Sequence, residues 1–295
     1  MAKAKRSFYR SFKENLTGYM FVLPYFCFFG LFTLYPILQG FFMSLTERDI
    51  FGFDIRFVGL KNYAQMLTDQ RFWTALKNTA SFTLMDVPTN VVLAILLATL
   101  LNRHFRGKEI SLSMVFFPRL LSISVIAFIW LWLYEPEWGL LNHYLSFLGV
   151  GPISWLRNPS VALRAVVVAT VWWTVGNNVV LFMAGMQQIP TEVYEAAELD
   201  GSVGLHRFFR ITLPLLRPTA QFVVIMQIIA SFQIFGQVNI MTGGGPAGAT
   251  RVLVQYIYET GFSYFEMGYA AALSYILFLL IMVVSVIQLV WLRER

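Results

Sequence analysis

The sequence is poor in the residues on which soluble enzymes and metalloproteins depend. Charged residues make up only 13% of its 295 positions. An ordinary soluble domain carries roughly 25%, so a chain this long with so few charges is not a water-solvated globule. There is one cysteine, Cys27, inside an apolar run. That excludes an intrachain disulfide and a cysteine metal cluster, and Cys27 reads as a packing residue. His104, His143 and His206 are far apart, so no metal site is expected. No GxxxxGK[ST] phosphate loop occurs, so the chain carries no such nucleotide site of its own. No apolar run holds a nucleophile with a base, or a His/Asp/Glu cluster, so no catalytic residue is assigned.

What is abundant is apolar. Hydrophobic residues reach 57%, with 28 Phe and 8 Trp. A spanning helix needs about 20 mostly apolar residues, and six runs qualify. They are Gly18 to Leu45, Asn78 to Leu101, Ile110 to Tyr134, Ala165 to Pro190, about Pro218 to Ile240, and Met267 to Leu292. The predicted fold is an all-α membrane protein with six transmembrane helices. Residues 1–17 form a basic arm and 18–295 one membrane domain. The first run is longer than a signal-peptide core of about 7–15 residues and no small-residue cleavage site follows it, so it reads as a retained span.

The net charge of +6 would suit a nucleic-acid binder if Lys and Arg shared one patch. They instead follow topology. Lys3, Lys5, Arg6, Arg10, Lys13, Arg103, Arg106, Lys108, Arg207, Arg210, Arg217, Arg293 and Arg295 fall on one side of the six spans. The acids divide almost evenly, so the excess lies on that side, which the positive-inside rule makes cytoplasmic. Both termini are then cytoplasmic. The basic arm reads as a topology signal near anionic lipid, with no nucleic-acid partner. Trp130, Trp132, Tyr134 and Trp138 cluster at the expected outer interface, like an aromatic belt.

Polar residues within the spans are the candidate site. Asp86 and Arg119 each lie about nine residues inside a span, near mid-membrane at about 1.5 Å per residue. Opposite charges at one depth suggest an intramembrane ion pair; alternatively, Arg119 faces a translocation path and meets substrate. The fourth span carries Trp173, Asn177 and Asn178, and the fifth Gln233 and Gln237. Gln233 and Gln237 are four apart and should share a helix face. Amides hydrogen-bond sugar hydroxyls and aromatic rings stack on sugar faces, so these five with Arg119 are the expected substrate path. Bridging between helices is the alternative for each. Pro88 and Pro118 are candidate bends.

The stretch of about 187–217 is too structured for a plain turn. Thr191 is a candidate N-cap after Pro190, Glu192 and Glu195 suit a helix N-terminus, and Gly201 suits a left-handed C-terminal stop. A second short helix, Val203 to Phe209, should follow, with Pro214 opening the next element. Val193, Tyr194 and Leu199 would give the first helix an apolar face for a partner's groove.

Here a resemblance enters. Glu195-Ala196-Ala197, then Gly201, then Ile211-x-Leu213-Pro214 is similar to the coupling-loop signature of ABC importer permeases. Leu23-Pro24 with Tyr35-Pro36, Phe57 to Tyr63, Gly139-Leu140-Leu141-Asn142, and Ser231-Phe232-Gln233 leading to Thr242-Gly243-Gly244-Gly245-Pro246 resemble the carbohydrate-uptake class, in particular the first of its two paired permeases. The resemblance implies a sugar or oligosaccharide importer subunit working by alternating access. It implies that Glu195, Ala196, Ala197, Gly201, Leu213 and Pro214 couple to an ABC ATPase dimer, which holds ATP and Mg. It further implies a second homologous permease and an extracytoplasmic substrate-binding protein, contacted here through Gly243, Gly244 and Gly245. A phosphorylated polyol is an alternative cargo. A self-contained secondary transporter would need several buried acids or internal repeats, whereas only Asp86 is present within a span.

Overall fold

The computed structural model describes residues 16–48, 55–103 and 105–293. The basic residues Lys3, Lys5, Arg6, Arg10 and Lys13, with His104 and Arg295, lie outside the described residues. The chain divides into two compact units, residues 1–67 with 260–275, and residues 68–259 with 276–295.

In the first unit, helix α1 (Leu16–Phe29) passes through one π-helical turn, Gly30–Leu34, into α2 (Tyr35–Ser44). Strands β1 (Thr46–Arg48) and β2 (Ile55–Phe57) pair antiparallel, with Glu47 opposite Arg56, and α3 (Lys61–Thr68) follows. Asn62 explains part of the Phe57 to Tyr63 motif. Its Nδ2 is buried and donates to Ser44 O at 2.9 Å and Thr46 O at 3.1 Å, tying α3 to the end of α2. The first unit also holds the start of α15 (Met267–Arg293). There Gly268 lies so close to Thr46 O that a Cβ would sit 1.9 Å from it.

The second unit is built on α4 (Gln70–Leu101) packed along α8 (Pro159–Gln187). Both helices start before their apolar runs because capping residues precede them. Asp69 accepts from Arg71 N, and Asn158 accepts from Ser160 N with Pro159 in the first turn. Helix α4 runs on through Pro88 without a break. Small residues allow close helix approach. Ala94 and Ala98 of α4 are fully buried, and a Cβ on Gly176 of α8 would meet Val115 O at 2.3 Å.

One expected span is bent. The third is two helices, α5 (Lys108–Leu120) and α6 (Ile123–Leu133), meeting at 102°. The turn follows Pro118; Leu121 is extended, and Ser122 caps the new helix by accepting from Val125 N. The expected fifth run, about Pro218 to Ile240, is α12 (Arg217–Phe232), which ends before the run does; the segment ahead of it, Gly204–Leu215, meets α12 at 68°. Four helices are long and apolar enough to cross a membrane, or up to six if each bent pair is one span. The aromatic cluster is split in two. Trp132 and Trp138 are exposed, while Trp130 and Tyr134 are core residues. Tyr134 turns inward because its hydroxyl donates to Ala165 O at 2.9 Å.

Candidate translocation cavity and partner-facing segments

The second unit contains a cavity of about 590 Å³. Helices α4, α5, α6, α8 and α12 contribute to its wall, together with α13 (Gly236–Met241). Trp173, Asn177, Asn178, Gln233, Gln237 and Arg119 all line it, as does Asp86. Residues up to 151 positions apart in the sequence, Asp86 and Gln237, thus meet one space.

Their roles within that space differ. Asp86 is only 1% exposed. Its Oδ2 accepts from Gln227 Nε2 at 2.8 Å and from Ser231 Oγ at 2.5 Å. Asn178 Nδ2 donates to Gln227 Oε1 at 2.9 Å and to Asn90 Oδ1 at 2.8 Å, and Asn90 Nδ2 donates to Thr174 Oγ1 at 2.7 Å. One buried polar chain therefore ties α4, α8 and α12 together. Members of such a network satisfy one another, although the buried Asp86 Oδ1 has no hydrogen-bond partner among the described residues. Asn178 belongs to this chain, while Asn177, one residue earlier, is exposed to the cavity.

The expected Asp86–Arg119 ion pair does not form. Asp86 is turned toward α12 and taken up by Gln227 and Ser231. Arg119 instead lays its guanidinium over Trp173, 4.8 Å from the ring centroid. The indole Nε1 in turn donates to Leu121 O at 3.3 Å, at the α5–α6 bend. The expectation that Gln233 and Gln237 share a helix face is also overturned. Helix α12 ends at Phe232, and the chain is irregular until Gly236 starts α13. Gln233 is exposed and Gln237 buried. Gly236 allows this break to pack tightly, since a Cβ there would lie 2.4 Å from Ile123 Cδ1 of α6.

Gly243, Gly244 and Gly245 lie in the loop after α13. The first two have φ of +57° and +83°, a region costly for other residues. The loop is pinned: Arg251 pairs with Glu259 at 2.9 Å, and Asn78 Nδ2 donates to Gly248 O and Arg251 O. The Gly139–Asn142 motif is likewise a loop anchor. Buried Asn142 donates to Pro136 O and Ile153 O and accepts from Ile153 N and Trp155 Nε1.

Between α8 and α12 lies helix α9 (Thr191–Leu199), carrying Glu195, Ala196 and Ala197. Pro190 holds the N-cap position, and no side chain caps the helix, so Thr191 is its first residue. Gly201 has φ of +74°, as a left-handed stop requires. A shorter helix than expected, α10 (Gly204–Arg207), then runs through a π-helical turn into Leu213–Leu215. Leu199 is 91% exposed, whereas Ala197 is buried. Tyr194 faces inward beneath the Arg207 guanidinium, 5.6 Å away, and Thr212 Oγ1 donates to its hydroxyl at 3.4 Å. The free apolar tip of α9 is therefore Leu199 rather than a whole face.

Residues 90–293 match the family described as "Binding-protein-dependent transport system inner membrane component". Two relatives agree along almost their whole length. The chain is 34% identical to the sn-glycerol-3-phosphate transport system permease protein UgpA of Agrobacterium fabrum, covering 96% of this chain and 97% of the relative. It is 34% identical to the trehalose/maltose transport system permease protein MalF of Thermococcus litoralis, covering 94% of each.

The chain belongs to this permease family.

The same fold occurs in a solved bacterial ABC transporter involved in the import of the acidic polysaccharide alginate. The TM-score is 0.86 at 20% identity, over 98% of this chain and 99% of that one. The matched stretch holds every candidate site residue of the permease except Asp86. It also holds Asn90, which the sequence reading did not single out. The available signal was spacing: Asn90 lies four residues after Asp86, on the same face of α4. No group of three or more His, Cys, Asp or Glu able to hold a metal occurs among the described residues.

Proposed function

We propose that this permease forms half of the translocation path of an ATP-driven importer for a sugar, an oligosaccharide or a related polyol. The observation that carries the reading is the cavity: Arg119, Trp173, Asn177, Gln233 and Gln237 converge on one space between helices of a binding-protein-dependent permease. Amides and a guanidinium suit a ligand rich in hydroxyls. The relatives transport sn-glycerol-3-phosphate and trehalose or maltose by their names, so both cargo classes stand.

In this reading the chain crosses a bacterial cytoplasmic membrane six times, with both termini inside. The bent pair α5–α6 counts as one span, and α12 with the chain up to about Ile240 as another. Helix α9 faces the cytoplasm and docks into an ABC ATPase through Glu195, Ala196, the exposed Leu199 and the turn at Gly201, with Ala197 packed inward and Leu213 and Pro214 anchoring its return. ATP and Mg bind to that partner and hydrolysis occurs there, so this chain supplies a path and a lever. A second homologous permease completes the path. An external binding protein delivers cargo against the loop at Gly243, Gly244 and Gly245.

The test is reconstitution with the second permease, the ATPase and the binding protein in proteoliposomes. Labelled saccharides or polyols should accumulate only with internal ATP. Accumulation by this chain alone, driven by an ion gradient without ATP, would sink the reading.

A further inference from the structure

We propose that the cargo carries a fixed negative charge, a carboxylate or phosphate on a polyhydroxylated ligand, and that Arg119 is the residue that reads it. This rests on the importer reading above and narrows its substrate class.

Among the described residues, Arg119 and Asp86 are the only ionisable side chains lining the cavity. They present themselves to a ligand very differently. Asp86 is sunk in the wall, with Oδ2 engaged by Gln227 and Ser231. Arg119 is exposed. Among the described residues its guanidinium has no hydrogen bond and no carboxylate within ion-pair distance; its contact is the Trp173 ring. A ligand entering the cavity therefore meets the cation and not the acid.

The seat on Trp173 matters chemically. A guanidinium lying over an aromatic ring keeps its N–H donors at its edge, in the fork that matches a carboxylate or phosphate with two parallel hydrogen bonds. Trp173 is held in turn by its bond to Leu121 O, so the fork is aimed before cargo arrives. The same contact covers one face of the indole that would otherwise stack on an uncharged sugar. A cation within a span with no carboxylate in ion-pair contact is costly, and low-dielectric walls strengthen its pull on an anion. An anionic cargo relieves that cost; a neutral one leaves it. Arg119 also sits in the last turn of α5, where helix carbonyls favour a cation. That steadies the charge without occupying its outer edge. Exposed Asn177 and Gln233 remain for hydroxyl groups.

The experiment uses the complete importer with its binding protein in proteoliposomes and three labelled probes: maltotriose, trigalacturonate and glycerol 3-phosphate. ATP-dependent uptake of trigalacturonate or glycerol 3-phosphate, and not of maltotriose, is expected, and these two arms tell carboxylate from phosphate. Arg119→Gln should raise the half-saturating concentration of the transported anion by about tenfold or more, the usual weight of a charge-assisted contact. Arg119→Lys should restore part of it. Uptake of maltotriose alone would overturn the charge assignment and leave the importer reading intact. Uptake of no probe by an assembled, ATP-hydrolysing complex would remove the cargo reading itself, and this proposal with it. An unchanged half-saturation in Arg119→Gln would overturn the role of Arg119. So would loss of the second permease from that variant on size-exclusion chromatography, because the guanidinium would then be pairing across subunits.

Discussion

Asn177 and Asn178 are adjacent in sequence, yet their alanine variants should fail in different ways. Asn178 Nδ2 donates to two buried acceptors, Asn90 Oδ1 and Gln227 Oε1. Alanine at 178 removes both bonds and strands both acceptors. Hydrogen bonds between membrane helices average about 0.6 kcal/mol each. A buried group left unsatisfied costs about 1–3 kcal/mol. The loss should thus lie between about 1 kcal/mol, if cavity water reaches the acceptors, and about 5 kcal/mol, if it does not. Asn177 makes no hydrogen bond among the described residues and faces the cavity. Its alanine variant should stay within about 0.5 kcal/mol of the parent while raising the cargo concentration needed for half-maximal uptake. The assay pairs thermal unfolding of the purified complex in detergent with uptake in proteoliposomes. If Asn178→Ala unfolds at the parent temperature, or if Asn177→Ala is the destabilised one, the division between scaffold and cavity wall is wrong.

Other outcomes follow from single close contacts. Gly176→Ala places a Cβ 2.3 Å from Val115 O, a backbone atom that cannot swing away. Forcing α5 from α8 should cost about 1–3 kcal/mol, read as a lower unfolding temperature, and uptake should fall because Arg119 and Trp173 face each other across that seam. Asn142→Ala removes four hydrogen bonds from the Pro136–Trp155 segment, whose short helix Leu140–Ser146 carries it. At about 1 kcal/mol each, less what water restores, it should make that segment the first site of limited proteolysis and shift Trp155 fluorescence. Gly201→Val meets no atom within 4 Å but must hold φ of +74°. A cost of about 1–2 kcal/mol falls on the turn alone. The variant should therefore keep its overall unfolding temperature and lose ATPase on co-purification; intact ATPase recovery would remove the turn from the coupling element.

The residues that carry the class were legible because they act locally. Gly201 terminates α9 through its own backbone angle, and no distant partner is needed to predict it. The apolar runs were legible because length and hydropathy are linear properties. The capping residues Asp69 and Asn158 extended two helices beyond those runs, because helix starts follow backbone hydrogen bonding and not lipid depth. The bend at Leu121–Ser122 was signalled only by Pro118 nearby, and its angle of 102° was not. Gln233 and Gln237 misled because the spacing rule assumes an unbroken helix, and α12 stops at Phe232.

The sequence by itself determined the membrane class, the family signature around Glu195–Pro214, and which polar side chains fall within apolar runs. Position within an apolar run is counted in residues, so it can be read from a string. Only the tertiary structure decided what each of those side chains meets. Counting residues puts Asp86 and Arg119 at one depth, but a helix presents its side chains around a full circle. Packing of α4 against α8 and α12 turned Asp86 toward Gln227 and Ser231. The turn after Pro118 laid Arg119 on Trp173. Charge complementarity made their pairing plausible on paper, but the rotation of each helix about its own axis set the outcome, and that rotation is fixed by contacts between residues far apart in the chain.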